Sequence, residues 1–144
     1  MIFTKDKITV KLYDSRKEMG EIAASDTAAK IQELLLVKDE INIIFAAAPS
    51  QNEFLASLVK ENRIDWSRIN AFHMDEYIGL EEDAPQRFGH FLKESIFGKV
   101  PFKQVNYING KALPSEECAR YEALLKQYPA DIVCLGIGEN GHIA

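Results

Sequence analysis

Two adjacent carboxylates, Asp75 and Glu76, follow residues 68–73, Arg-Ile-Asn-Ala-Phe-His, which are a candidate β-strand. A carboxylate at a strand end is partly shielded from water, which suits it to taking and returning protons. The alternative is that both acids only solvate a loop, as most Asp-Glu pairs do. Their position after a strand favours the first interpretation, with Asp75 as a general base. His73, at the end of the strand, is interpreted as a buried, hydrogen-bonded residue outside the chemistry.

A glycine-rich turn leads into His142 after the last predicted strand, and it contains Gly136, Gly138 and Gly141. Glycine permits tight bends that aim an imidazole into a cleft, and it lets backbone amides approach a phosphate. We therefore predict Gly138 and Gly141 as substrate contacts. The spacing also matches the dinucleotide-binding fingerprint, but that motif opens a helix early in a βαβ unit, whereas this turn follows the last predicted strand. A nicotinamide site is not predicted, and no cofactor is expected.

Three further residues are candidates for binding an anion. Ser50 and Gln51 precede a predicted helix, whose amino terminus could hold a phosphate, although serine is equally common there as a helix cap. Arg87, at the start of a later helix, could supply a second contact. The alternative, a surface arginine that packs its aliphatic stem, is the more common one.

Strand and helix patterns alternate along the chain. Strands are predicted at residues 8–13, 41–45, 68–73, 105–108 and 131–135, the last of them buried. Amphipathic helices are predicted between them, one of them over about residues 51–62. Ser15 and Glu18 form a capping box that starts the first helix. Parallel strands need such crossover helices, so the pattern predicts a single α/β domain: a Rossmann-like three-layer sandwich with a mostly parallel sheet. Ligands bind beyond the carboxyl ends of such strands, where the loops 46–51, 73–80 and 136–144 should meet.

Composition excludes several classes of function. The 22 acidic residues outnumber the 17 basic ones, and no basic stripe for nucleic acid is present. No stretch has the length and apolarity of a membrane span, and the first residues lack the apolar core of a signal peptide, so we expect a cytoplasmic protein. Cys118 and Cys134 are predicted to be reduced, packed thiols. No metal-ligand spacing involves either of them, and no metal is expected.

Two segments together resemble a known family. Residues 72–80 read Phe-His-Met-Asp-Glu-Tyr-Ile-Gly-Leu, and residues 135–144 read Leu-Gly-Ile-Gly-Glu-Asn-Gly-His-Ile-Ala. In sequence and spacing they resemble the paired signatures of the glucosamine-6-phosphate deaminase/isomerase family, and the likeness extends through nearly the whole chain. The resemblance implies that glucosamine 6-phosphate opens, isomerises through a proton shift between C2 and C1, and loses ammonia to give fructose 6-phosphate without a cofactor.

The resemblance also implies roles for individual residues. Asp75 would take the C2 proton, and His142 would shuttle the proton of ring opening. Glu76 would support the loop and is also predicted to contact the substrate. The residue before Gly141 is commonly Asp in the family and is Asn140 here. Asparagine can orient an imidazole by hydrogen bonding but cannot stabilise an imidazolium by charge.

Two departures from the family pattern carry expectations. Residues 46–51 read Ala-Ala-Ala-Pro-Ser-Gln where the family usually has a Gly/Thr-rich phosphate cradle, and we expect Arg87 to compensate. The family's carboxylate after the histidine and its later basic phosphate ligands are not reached before Ala144. We therefore expect this chain to be the amino-terminal, truncated part of a longer sugar-phosphate isomerase domain. Alone it should be inactive, and it should expose apolar surface or form a homo-oligomer.

Three other functions stay open. A related lactonase would share the fold and the glycine-rich turn, but Tyr77 stands where an arginine is expected after its Asp-Glu pair. A sugar-phosphate sensor behind a helix-turn-helix is a second alternative, although the short segment before the first helix has no room for that reader. A third is a domain of the same fold that binds sugar phosphate without turnover.

Overall fold

Four parallel strands form the central sheet, in the order β5-β4-β3-β6, and a separate antiparallel hairpin joins β1 to β2. The computed structural model describes residues 1–143. In chain order its elements are β1 (Ile2–Lys5), β2 (Ile8–Lys11), α1 (Arg16–Leu35), β3 (Ile41–Phe45), α2 (Asn52–Leu58), β4 (Ile69–His73), α3 (Phe88–Leu92), β5 (Gln104–Asn106), α4 (Pro114–Gln127) and β6 (Ile132–Cys134).

The two central strands, β3 and β4, pair in parallel from Ile41 opposite Ile69 to Phe45 opposite His73. β6 pairs with the other edge of β3, and β5 with the other edge of β4. The side chains of both central strands are almost entirely buried, which explains why the sequence of β3 is a nearly continuous apolar run. All four strands end at the same edge of the sheet, so the loops that follow β3, β4 and β6 converge there.

Helices cover both faces of this sheet. On one face, α1 and α2 pack on alternate residues of β3 and β4; the buried contacts include Ala24, Ala28, Ile31, Leu55 and Leu58. On the other face, the rings of Tyr121 in α4 and of Tyr128, which directly follows α4, each lie 6.1 Å from the ring of Phe72. The predicted α/β sandwich with a mostly parallel sheet is confirmed.

Helix α1 begins and packs as its sequence indicates. Ser15 Oγ accepts a hydrogen bond from the Glu18 amide at 3.1 Å. The Glu18 carboxylate reaches back to the amide of Asp14 at 3.3 Å. Further along, Gly20 lies against α2, where a Cβ would come within 2.7 Å of the Glu53 backbone. This glycine therefore permits the close contact of the two helices that cover one face of the sheet.

Several predicted elements differ in the structure. The strand predicted at 8–13 is β2, which belongs to the hairpin and not to the parallel sheet, because β1 takes it as partner. The strand predicted as buried at 131–135 is an edge strand, with Val133 45% exposed. The helix predicted from 51 to 62 ends at Leu58 after a 3₁₀ turn at Pro49–Gln51. Cys134 is buried as predicted, whereas Cys118 is exposed.

Candidate functional site

A cavity of about 300 Å³ opens at the carboxyl ends of β3, β4 and β6. Three loops line it, and they are those that the sheet topology predicts. The first contributes Ala46 to Ser50, the second Met74 and Asp75, and the third most of residues 136–142, including Gly138 and His142. Candidate residues far apart in sequence therefore share one concave surface.

Asp75 is one of two acidic residues that line this cavity, the other being Glu139 of the glycine-rich turn, and Asp75 is exposed. Partial burial raises the pKa of the Asp75 carboxyl above its ordinary value, and the negative charge of Glu76 raises it further. A carboxylate with a raised pKa holds a proton more strongly than an ordinary aspartate. It is consequently better suited to abstracting a proton from carbon and returning it.

Glu76 turns the opposite way, and its side chain is only 1% exposed. Its two oxygens accept hydrogen bonds from the backbone amides of Tyr77 at 2.9 Å, Phe88 at 3.0 Å and Gly89 at 2.9 Å. Burial alone would raise the pKa of Glu76, but these three amides and the nearby Arg87 outweigh it, and the pKa is lowered. Glu76 thus ties the loop to the start of α3.

Arg87 is buried beside Glu76, with its Nε 3.3 Å from a carboxylate oxygen. Its terminal nitrogens donate to the carbonyl groups of Glu82 at 3.0 Å and Ile108 at 3.5 Å. Neither Glu76 nor Arg87 lines the cavity that contains Asp75. The prediction that these two side chains contact the substrate is not supported by this geometry, because each is the other's partner.

The turn that carries His142 is closed by its own backbone. The Gly138 amide donates to the His142 carbonyl at 2.9 Å, and the Gly141 amide donates to the Gly138 carbonyl at 2.8 Å. Gly141 has φ +82, a conformation that favours glycine, and a Cβ on Gly138 would overlap the imidazole of His142. These glycines shape the turn. Gly138 also lines the cavity, whereas Gly141 does not.

Asn140 orients the His142 ring. Its side-chain oxygen lies 2.5 Å from His142 Nδ1 and 3.3 Å from the His142 amide nitrogen. An amide oxygen only accepts, so Nδ1 carries a proton and the neutral ring keeps a lone pair on Nε2. Among residues 1–143 no group hydrogen-bonds to Nε2, which leaves this nitrogen able to exchange a proton with a ligand.

The two candidate anion contacts in the loop after β3, Ser50 and Gln51, separate in the structure. Ser50 lines the cavity, and its hydroxyl lies 3.4 Å from the position that a Cβ on Gly136 would take. Gln51 is buried and donates to the Ser50 hydroxyl at 3.4 Å. It lines a neighbouring cavity of about 330 Å³ between α1, α2 and β6. Gln51 therefore supports Ser50 and does not face the candidate site.

Two residues behind the site have no functional role in the sequence analysis, although His73 is buried and hydrogen-bonded as predicted. His73 is buried directly beneath Asp75, and Tyr121 of α4 hydrogen-bonds to its backbone. The alternation along β4 indicates that His73 is buried, but no local signal reveals its partners, which come from distant parts of the chain. Within the described residues no group of three or more His, Cys, Asp or Glu side chains could hold a metal. None of the described helices is long and apolar enough to cross a membrane.

The sequence matches one family of known proteins. The family described as glucosamine-6-phosphate isomerases/6-phosphogluconolactonase matches residues 14–144. The chain belongs to this family. Among its relatives, the glucosamine-6-phosphate deaminase of Listeria innocua serovar 6a is 36% identical over 125 residues, which are 86% of this chain and 53% of that protein. The deaminase of an Exiguobacterium species is 38% identical over 115 residues, 76% of this chain and 45% of its own length.

Solved structures of the family show the same fold. A monomeric glucosamine-6-phosphate deaminase superposes with a TM-score of 0.79 at 28% identity, and the match covers 91% of this chain and 56% of that one. The 6-phosphogluconolactonase of Thermotoga maritima superposes with a TM-score of 0.80 at 24% identity, covering 92% of this chain and 61% of that one. The chain thus spans about half the length of the curated relatives it matches.

Proposed function

We propose that this chain supplies the amino-terminal part of a glucosamine-6-phosphate deaminase/isomerase, which converts glucosamine 6-phosphate and water to fructose 6-phosphate and ammonia. The observation that carries this proposal is the opposite orientation of two adjacent acids. Asp75 faces the same cavity as His142, while Glu76 is withdrawn to hold the loop. Of these two acids, Asp75 is therefore the one available for proton transfer in the cavity, and Glu76 fixes the loop that carries it.

The geometry supports a different role for each of three side chains that line the cavity. His142 Nε2 would exchange the proton that moves between the C1 hydroxyl and the ring oxygen when the sugar opens. Asp75 would then take the C2 proton while a proton of the C2 ammonium group passes to the C1 carbonyl oxygen, which gives a neutral enolamine. Return of the proton from Asp75 to C1 gives a C2 iminium. Addition of water to C2 and departure of the amine as ammonia complete the balance. The Ser50 hydroxyl is available to donate to the phosphate.

The main competitor is hydrolysis of a phosphorylated sugar lactone. That reaction needs attack of water on a carbonyl and no proton abstraction from carbon. Tyr77 follows the Asp-Glu pair where the lactonase pattern has an arginine. The relatives with 36% and 38% identity are named as deaminases, whereas the 24% identity of the Thermotoga lactonase supports a common fold only.

The test uses the complete gene product with two substrates. We expect glucosamine 6-phosphate to yield equal amounts of ammonia and fructose 6-phosphate, and 6-phosphogluconolactone to hydrolyse no faster than in buffer. Asp75→Asn should abolish ammonia release, and Asp83→Asn, an exposed aspartate in the same loop, should not. Lactone hydrolysis without ammonia would identify a lactonase. Saturable binding of glucosamine 6-phosphate without product would identify a non-catalytic binding domain.

A further inference from the structure

His73 lies at the end of β4 with both ring nitrogens engaged, and it is only 1% exposed. The Ile108 amide donates to His73 Nε2 at 2.9 Å. Because a backbone N–H only donates, Nε2 carries no proton and the proton of the neutral ring is on Nδ1. Nδ1 then donates to the backbone carbonyl of Asp75, also at 2.9 Å. A single ring therefore links the segment after β5 to the carbonyl of the candidate base.

The backbone of His73 is held as firmly as its ring. The buried hydroxyl of Tyr121 donates to the His73 carbonyl at 2.6 Å and accepts from the His73 amide at 3.0 Å. The same hydroxyl lies 3.4 Å from the carbonyl of Asn106 at the end of β5. Helix α4 is thereby fixed to the ends of both strands. The ring of His73 has no freedom to swing away from Asp75.

The charge state of the ring fits this arrangement. Burial lowers the pKa of His73, and the nearby positive charge of Arg87 acts in the same direction, although Glu76 and the Asp75 carbonyl oppose it. A second proton would have to sit on Nε2, where it would face the Ile108 N–H. The neutral tautomer that donates to Asp75 is thus the form that the surroundings favour.

Asp75 is consequently clamped through its backbone on both sides. On one side is the His73 ring, and on the other is Glu76, whose carboxylate is fixed to the start of α3. No residue among 1–143 hydrogen-bonds to the Asp75 carboxylate itself. The orientation of the Asp75 side chain is therefore set by its backbone and not by contacts of its carboxylate oxygens.

We infer that His73 is a positioning residue, which aims the Asp75 carboxylate into the cavity by holding the Asp75 carbonyl. It has this role in catalysis only if Asp75 is the proposed base. A misplacement of about 1 Å can cost about 100-fold in rate, so loss of this one hydrogen bond should lower kcat far more than loss of an equivalent bond elsewhere. Substitution of His73 by asparagine or by glutamine can distinguish the two hydrogen bonds of the ring, because the side-chain amide of each reproduces the position of one ring nitrogen.

The experiment compares His73→Asn with His73→Gln in the complete gene product. The asparagine amide nitrogen takes the position of Nδ1 and keeps the bond to Asp75, whereas the glutamine oxygen takes the position of Nε2 and keeps the bond from Ile108. Each variant loses one buried hydrogen bond, so their stabilities should fall alike. We expect kcat to stay within about threefold of wild type for His73→Asn and to fall about 10- to 100-fold for His73→Gln, with KM nearly unchanged in both. Equal losses of kcat in the two variants would overturn the inference.

Two further measurements keep the test decisive. Tyr121→Phe leaves the ring intact and removes the hydroxyl that fixes its backbone, so kcat should fall by an amount between those of the two His73 variants. The titration of the Asp75 carboxyl carbon, followed by NMR, should be unchanged in His73→Asn and shifted in His73→Gln. Absence of turnover in the wild-type protein would refute the proposed function but not the positioning role, which the titration decides alone. Identical titrations in both variants would refute that role.

Discussion

The loop after β4 and the turn after β6 face each other across one cavity but are built in opposite ways. Three buried side chains fix the β4 loop, namely His73 below Asp75 and the ion pair of Glu76 with Arg87 beside it. The turn after β6 is exposed and is closed by hydrogen bonds among its own residues. Distant parts of the chain therefore hold the candidate base, whereas local geometry alone holds the candidate proton shuttle.

This difference suits the two proton transfers. Abstraction of a proton from carbon depends on the exact placement of the base, since the acid is weak and the reacting atoms must be aligned. Exchange between oxygen atoms is easier and tolerates a mobile imidazole. Of the two sides of the cavity, only the loop after β4, where the placement of the base matters most, uses buried ionic groups, which are costly to desolvate.

The strongest test of this difference between the two loops is to remove Glu76, the buried residue that fixes the loop after β4. Glu76→Ala leaves Arg87 as an uncompensated buried charge and deprives three amides of their acceptor. We expect the free energy of unfolding to fall by about 3–5 kcal/mol, measured by urea denaturation of the complete gene product. Glu81→Ala, which removes an exposed partner of Lys111, is the matched control and should cost under about 1 kcal/mol. A loss below that of the control would mean that the pair does not anchor the loop.

Asp75→Asn should separate activity from stability at the adjacent residue. We expect kcat to fall by about 10²- to 10⁴-fold, the usual contribution of a general base. The raised pKa of Asp75 means that its contribution to stability is present below the pKa of an unfolded aspartate and is lost as the pH rises through the folded value. At pH 7 the ionised group therefore gives no stability to lose. The same denaturation experiment should show no decrease, and a marked decrease would indicate a structural role for this carboxylate.

How much of this site the sequence predicts depends on where each residue's partners lie. The burial of β3 is predicted because its own residues are almost all apolar, whereas β4 is equally buried although it contains Asn70 and His73. The convergence of the three loops follows from the parallel sheet. Which acid of the Asp-Glu pair turns inward is not predictable locally, because the amides that hold Glu76 lie 12 and 13 residues away.

The other differences have the same origin. β2 joins a hairpin because a strand with no strong pattern, Ile2–Lys5, is its neighbour. β6 has an apolar sequence but only one partner strand, so part of it is exposed among the described residues. Arg87 has the sequence features of a surface cation and is buried only because Glu76 is beside it. In each case the result depends on which strand or side chain an element meets in the fold. Composition and periodicity do not contain that information.

The two acids of the β4 loop should also separate along the pH axis. The lowered pKa of Glu76 means that its stabilisation is present above the pKa of an unfolded glutamate and is lost only as the pH falls through the folded value. Asp75, with its raised pKa, takes up a proton at higher pH. On acidification kcat/KM should therefore fall, up to about tenfold per pH unit, before the protein unfolds. Coincident loss of activity and of circular dichroism would contradict this order.

On the opposite side of the cavity, Gly138→Ala tests whether local geometry places His142. The added Cβ would overlap the imidazole, so the ring must move or the turn must open. We expect kcat to fall about 10- to 100-fold through displacement of the ring, while the free energy of unfolding changes by under about 1 kcal/mol because the turn is exposed. A large loss of stability would show that this turn, like the β4 loop, is tied into the core.

The smallest expected effect concerns the hydrogen bond that orients the ring of His142. Asn140→Ala removes the acceptor of Nδ1–H, and a hydrogen bond of this kind is worth about 0.5–1.5 kcal/mol, so kcat should fall only about 2- to 12-fold. Asn140→Asp keeps an acceptor at the same position and should retain at least the wild-type rate, because a carboxylate also stabilises the imidazolium formed during ring opening. Steady-state kinetics of the two variants decide the matter. A loss in Asn140→Ala as large as that of His73→Gln would mean that both sides of the cavity require equally exact placement.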